Sequence, residues 1–245
     1  MVISMNEKIA ELKKIIDESD NIVFFGGAGV STESGVPDFR SVDGLYNQDY
    51  DYPPETILSH TFYRRNPNEF FRFYRNKMLL PDVKPNTAHK VLAKLEEVGK
   101  LKAVITQNID GLHQVAGSKI VYELHGSVHR NHCQECKKFY GFDEIYKMKG
   151  VPKCECGGII KPDVVLYEEG LDERTIQLSV SAISKADVLI IGGTSLAVYP
   201  AAGLVDYFRG KRLVLINKSK TQKEQRADLV INEPIGEVLG QVVEL

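Results

Sequence analysis

All four cysteines of the chain lie between residues 133 and 156, as Cys133-x-x-Cys136 followed by Cys154-x-Cys156. Thiols in such close pairs can converge tetrahedrally on one Zn2+; two disulfides or four unrelated buried thiols are the alternatives. Four thiolates leave no open position on the ion, so a zinc here is structural, and the neighbouring His129 and His132 read as surface residues. A second cluster is made of small residues. The stretch GGAGVSTESGVPDFR (residues 26–40) directly follows the apolar run NIVFF. A strand running into glycines brings backbone amides close to a phosphate. Gly27-Ala28-Gly29-Val30-Ser31-Thr32 opens like a dinucleotide fingerprint but ends in Thr, and no P-loop lysine follows. Three further apolar runs end in small, hydroxyl or amide residues: KAVIT-QNIDGLH, ADVLIIG-GTSL and RLVLI-NKS. Thr194, Ser195 and Asn217 there offer hydrogen bonds to phosphate or ribose. Asp49 and Asp51 stand at the distance of a ribose-binding acid, but in a Tyr- and Pro-rich stretch that cannot be a second strand. Together these features predict a bound dinucleotide that is not used as a hydride carrier.

Regular elements must hold these residues in place. Apolar periodicity predicts a first helix over residues 6–18, with Ile9, Leu12, Ile15 and Ile16 on one face. NIVFF is a strand, and NEFFRFYRNKML a helix within an irregular aromatic stretch. Asn86 caps a helix over AHKVLAKLEEVG, which stops at Gly99. KAVIT, KIVYEL, ADVLIIGG and RLVLIN read as strands. Helices are expected near 172–184, near 200–208 and after Pro234. Strand and helix alternate outside two irregular inserts, so the fold class is α/β: a Rossmann-like, doubly wound parallel sheet with a smaller lobe made of a zinc-binding module and a helical insert. In such sheets ligands bind at the carboxyl ends of strands, where the strand order reverses.

Composition bounds the function. The chain has 245 residues, enough for a sizeable core, and is 43% hydrophobic and 26% charged, as ordinary globular proteins are. A formal net charge of −2 gives no electrostatic reason to expect nucleic acid or an anionic membrane as partner. The N-terminal MVISMNEKIAELKKIIDES carries charges every few residues and is neither a signal peptide nor a membrane span. A cytoplasmic monomer is the expectation.

GAGVSTESGVPDFR, TQNIDGLHQVAG, YELHG, the paired cysteines, GTSL and LIN stand in the order found in the sirtuins, the NAD-dependent protein deacylases, and the chain resembles that family from about residue 6 to its end. The resemblance implies one catalytic domain over residues 1–245. Its large NAD-binding lobe would span about 1–35, 85–128 and 161–245. Its small lobe would comprise a helical part, about 36–84, and the zinc module, about 129–160. NAD is implied as co-substrate and one structural Zn2+ on Cys133, Cys136, Cys154 and Cys156. Ala28 and its neighbours would meet the pyrophosphate, Thr32, Phe39 and Arg40 would line the cleft, and Phe39 would shield the reactive ribose carbon. Ile109 and Asp110 would hold nicotinamide; Gln107 and Asn108 would meet the ribose hydroxyls and an ordered water. Gly193, Thr194, Ser195, Asn217 and Ile235 complete the implied cofactor site. His125, which ends a predicted strand beside the nucleotide loops, is the implied general base, and Asn108 shares the catalytic role.

The implied products are nicotinamide, 2′-O-acetyl-ADP-ribose and the deacetylated lysine of a protein or peptide. Val165 and Tyr167 would wall a tunnel for the lysine stem, beside an edge that takes the peptide by strand addition. Three departures from the family stand out, the first being Tyr167 in place of a usual phenylalanine. Glu168 replaces a usual glycine, which could alter the loop path and favour basic peptides. Tyr74-x-x-Lys77 stands where members that remove succinyl groups carry Tyr-x-x-Arg, so acetyl-lysine is expected to be the better substrate. Protein mono-ADP-ribosylation, an acidic-acyl preference, a non-catalytic NAD module and a nicotinamide oxidoreductase remain as rival readings.

Overall fold

A computed structural model describes residues 4–38, 51–221 and 223–243. The order of elements begins with α1 (Met5–Asp17), β1 (Ile22–Gly26), α2 (Pro54–Ile57), α3 (His60–Arg65), α4 (Pro67–Lys77), α5 (Thr87–Glu97) and β2 (Leu101–Thr106). It continues with α6 (Leu112–Ala116), β3 (Val121–Glu123), β4 (Asn131–Cys133), β5 (Phe139–Tyr140), α7 (Phe142–Lys147), β6 (Ile160–Pro162) and α8 (Glu173–Lys185). The chain closes with β7 (Val188–Gly192), β8 (Arg212–Ile216), β9 (Leu229–Ile231) and α9 (Ile235–Gly240).

One sheet has the order β3-β2-β1-β7-β8-β9, and every neighbouring pair in it is parallel. Every residue of β1 and of β7 is buried, as expected of strands covered on both faces. Alternate residues serve two cores. Ile22 and Phe24 pack with α1, α5 and α9 on one side, whereas Val23 and Phe25 pack with α8 and the segment 201–205 on the other. β1 is followed in space by β2 on one side and β7 on the other, so the strand order reverses between β1 and β7. Their carboxyl ends form the crevice.

A third core unites the two inserts. Tyr63, Phe70, Phe71, Phe73 and Tyr74 from α3 and α4 pack with Tyr140, Ile145 and Ile160 around the short antiparallel sheet β5-β4-β6. Two stretches separated by about fifty residues, α5 to β3 of the large lobe, therefore build one small lobe. Asn86 caps α5 as expected, its Oδ1 accepting from the Ala88 amide at 2.9 Å, and Gly99 ends that helix at φ 78°. Two local expectations change. Residues 201–207 form a 3-10 rather than an α-helix, and β9 is a strand that its three-residue length hid.

Candidate active site and zinc centre

The glycines after β1 and β7 meet backbone to backbone. The Gly29 amide donates to the Gly193 carbonyl at 2.8 Å, and a β-carbon on Gly29 would lie 2.8 Å from the Gly193 Cα. Gly193 itself holds φ 58°, the left-handed region that glycine enters without strain. Ala28 starts a 3-10 turn on the cavity side, and the Thr32 hydroxyl closes it by donating to the Gly29 carbonyl at 3.1 Å. The cavity at this crevice has a volume of about 1510 Å3, ample for a dinucleotide and an incoming side chain, and its wall includes Gly193, Thr194, Ser195, Asn217 and Ile235. Thr194 Oγ1 accepts from Gln107 Nε2 at 3.0 Å and from the Leu196 amide at 3.2 Å, so it organises the turn. Asn217 ends β8, with Nδ2 donating to the Ser219 carbonyl at 2.6 Å. Ile235, which opens α9, is almost wholly core. Phe39 and Arg40 lie outside the described residues.

The residues after β2 form a polar chain below this loop. Asn108 is buried and donates through Nδ2 to the Ser31 hydroxyl at 3.0 Å; Ser31 in turn donates to Asp110 Oδ2 at 2.7 Å. The Leu112 amide holds the other Asp110 oxygen at 2.9 Å. Burial pushes the Asp110 carboxyl above its ordinary value, against those two donors. Ile109 lies beside it on the cavity wall.

His125 follows β3 and lines the same cavity. Its Nδ1 lies 3.0 Å from the Gln107 carbonyl, which can only accept, so Nδ1 carries the proton and Nε2 keeps its lone pair in the neutral ring. Burial holds the imidazole below its ordinary value, opposed by that hydrogen bond. The carbonyl of His125 accepts from the Val165 amide at 3.0 Å. Residues 164–167 run extended: Val164 and Leu166 enter the small-lobe core, while Val165 and Tyr167 alternate to the other side. Tyr167 is 38% exposed and bridges to Ser59 through its amide to Leu58 and its carbonyl from His60, each 3.0 Å.

The four cysteine sulfurs lie within 4.8 Å of one another and form no disulfide. A tetrahedral zinc with bonds near 2.3 Å separates its sulfurs by about 3.8 Å, so this donor set fits. The Tyr140 hydroxyl donates to Cys154 Sγ at 3.0 Å, the main reason that thiol is drawn down to about 6. Cys133 closes β4, and a β-carbon on Gly158 would approach its sulfur to 2.8 Å, so the glycine makes room for the cluster.

The Sir2 family profile matches residues 27–200. The chain belongs to the Sir2 family. It is 64% identical over 244 residues to an NAD-dependent protein deacetylase of Clostridium perfringens, covering 98% of this chain and 100% of the relative. A protein of the same name from Staphylococcus aureus is 44% identical, covering 98% and 99%. Among solved structures, a Sir2 enzyme superposes with a TM-score of 0.89 at 39% identity, covering 98% of each chain. A Sir2 complex with deacetylated p53 peptide and 3′-O-acetyl-ADP-ribose superposes at 0.88, with 39% identity over 96% of this chain and 97% of that one.

Against this Sir2 framework two expectations change, those for Tyr74 and for Glu168. His113, on α6, is buried beside His89, ring centroids 4.7 Å apart, and burial drives it to about 3. His129 and His132 lie at the surface, exposed and half-exposed, and both are engaged, His129 Nε2 donating to the Asp110 carbonyl at 2.9 Å and His132 Nδ1 pairing with Asp163 at 2.7 Å. Tyr74 is wholly buried and stacked on Phe70, with no partner for its hydroxyl among the described residues, whereas Lys77 does line the cavity. Glu168 holds φ 75°, the backbone conformation a glycine would supply, so the loop path survives the exchange. Sequence reasoning passed over Ser31, whose only signal was its place between Gly29 and Thr32 in the glycine loop. It also missed His89, whose Nε2 lies 3.4 Å from the Ser31 hydroxyl and which burial holds near 4.

Proposed function

We propose that this chain is an NAD-dependent protein lysine deacetylase, releasing nicotinamide, 2′-O-acetyl-ADP-ribose and the free lysine side chain. The observation that carries the reading is the tautomer of His125: its Nδ1 proton is committed to the Gln107 carbonyl, so Nε2 can accept a proton within the cavity. NAD supplies a glycosidic bond whose cleavage makes the ribose carbon electrophilic. The chain's residues do the rest. The Ala28 amide, at the start of the 3-10 turn on the cavity wall, meets the diphosphate. Asp110, raised toward its protonated form and oriented by Ser31 and Leu112, recognises the nicotinamide carboxamide. Gln107, Asn108, Thr194, Ser195 and Asn217 orient the riboses, and Ile235 lies on the same cavity wall. Val165 and Tyr167 flank the acyl-lysine stem, and the peptide adds as a strand along residues 164–167.

The division of labour follows the three cores. The large lobe (about 1–35, 85–128 and 161–245) binds the dinucleotide; the small lobe (about 36–84 and 129–160) holds the zinc and shapes the peptide entrance. Cys133, Cys136, Cys154 and Cys156 hold the ion and form no part of the chemistry. Clustered thiols that form no disulfide suit a cytoplasmic protein, and the substrate is an acetylated protein or peptide that gives up its acetyl group to ADP-ribose on a monomeric enzyme. The test is mass spectrometry of an acetyl-lysine peptide incubated with enzyme and NAD. Loss of the acetyl group with appearance of acetyl-ADP-ribose is expected; ADP-ribose transferred to protein without deacetylation would reject the reading.

A further inference from the structure

Among the described residues, three other than glycine hold a positive φ, and one of them, Glu168, directly follows the segment 164–167 assigned above to the peptide. A β-carbon in that region is strained, and such a residue persists where its surroundings over-determine it. The surroundings are the first turn of α3. The first N–H groups of a helix have no partner inside it. In α3 each is accounted for: the His60 amide donates to the Tyr167 carbonyl at 3.0 Å, the Thr61 amide to Glu168 Oε2 at 2.9 Å, and the Phe62 amide to Ser59 Oγ at 3.1 Å. Two of the three donors thus end on consecutive residues of the peptide edge. Glu169 adds His60 Nδ1 at 2.8 Å and turns back to the Leu166 amide at 2.9 Å.

We infer that Glu168 is a positioning residue for peptide binding, its carboxylate fastening the exit of the 164–167 edge to the start of α3. A glycine at 168 would ease the backbone but offer the Thr61 amide nothing. The Thr61 hydroxyl and amide together hold the Glu168 carboxyl below the ordinary carboxylate range, as an engaged acceptor requires. The effect reaches substrate through Tyr167, whose carbonyl and amide are tied to the same segment 58–60 and whose ring lines the cavity. It does not reach the dinucleotide, whose loops follow β1, β2, β7 and β8.

The inference rests on the deacetylase reading, so the experiment separates the two. Steady-state kinetics with an acetyl-lysine peptide would compare wild type, Glu168→Ala, Glu168→Gly and Glu168→Gln, with amide hydrogen exchange of the segment containing Thr61. Glu168→Ala is expected to raise the peptide KM on the order of fivefold, the size of a lost helix cap, and to speed Thr61 exchange, with kcat and the NAD KM within about twofold. Glu168→Gln retains an acceptor and should restore wild-type values; Glu168→Gly, which loses the acceptor but relieves the backbone, should fall between. An unchanged peptide KM in Glu168→Ala, equal rises in both KM values, or a Gln variant behaving like Ala would overturn the inference. An inactive wild type would overturn the site reading itself, and this one with it.

Discussion

The two walls of the cleft are built differently. On the cofactor wall, backbone meets backbone: Gly29 to Gly193 at 2.8 Å and the Gln107 amide to the Gly26 carbonyl at 3.0 Å, on strands buried over their whole length. On the peptide wall, side chains do the fastening. Glu169 takes His60 at 2.8 Å and Lys161 at 3.1 Å, Asp163 takes His132 at 2.7 Å, and four thiolates gather the zinc module beneath. A wall joined through backbone admits no added β-carbon and does not depend on the zinc. A side-chain-built wall can be retuned residue by residue and depends on its ion. His125 is the joint between them, its ring bonded to Gln107 and its carbonyl to Val165.

The largest effect should come from taking the metal away from the peptide wall. Ligand loss and local unfolding share one free energy, which for structural zinc is about 10 kcal/mol or more. Cys133→Ala is therefore expected to lose zinc, melt the small lobe and abolish turnover, while the parallel sheet keeps a separate melting transition on its own two cores. Zinc content and calorimetry check it. A zinc-free variant with a single transition and wild-type activity would break the comparison.

Next comes the joint. His125→Ala should leave NAD affinity and melting temperature nearly unchanged and slow deacetylation by about 10²–10⁴-fold. The pH profile has a definite sign. Only neutral His125 can take a proton, and burial lowers its pKa, so the acid limb of the rate should fall below the ordinary value near 6.5. An acid limb above that value would mean that the ring is stabilised as a cation, contrary to its surroundings.

A smaller effect should follow from one methyl group on the cofactor wall. Gly29→Ala places a β-carbon 2.8 Å from Gly193 Cα and 2.9 Å from its carbonyl oxygen, so the two loops must part. Overpacking of this kind costs about 1–3 kcal/mol. The NAD KM should rise roughly tenfold or more, and the peptide KM should stay nearly fixed. Equal changes in both would show that the two walls are mechanically one.

The same contrast explains what the sequence disclosed. NIVFF, KAVIT, ADVLIIG and RLVLI are continuous apolar runs because the sheet buries both faces, and such runs are legible without context. The cysteine pairs are legible because ligand spacing is local. Leu229–Ile231 was not, since three residues carry no period. Ser31 and His89 escaped for another reason: a serine between glycines and a histidine on a helix have ordinary local environments. Only the docking of α5 against the glycine loop brings His89 to Ser31, and only the pairing of β1 with β2 brings Ser31 to Asp110. Tyr74 shows the reverse error. Its spacing to Lys77 suggests a shared face, yet the core formed by two distant inserts swallows the tyrosine.

That burial decides the smallest prediction. Sir2 members that remove succinyl groups are expected to meet the distal carboxylate with a Tyr and an Arg, and here the Tyr74 ring is stacked in the core away from solvent, its hydroxyl driven further toward the protonated form by burial. Lys77 alone reaches the cavity wall, half-buried at the end of α4. An ammonium is a point charge without the bidentate fork that fixes a carboxylate, and a pair of this kind near solvent contributes about 0–1 kcal/mol. Acetyl-lysine should therefore exceed succinyl-lysine in kcat/KM on the same peptide. Lys77→Ala should lower only the succinyl value, by no more than about fivefold, and the drop should shrink in high salt. A succinyl preference in the wild type, or a fall of a hundredfold in the variant, would place the tyrosine hydroxyl in the tunnel and make α4 part of the active peptide wall.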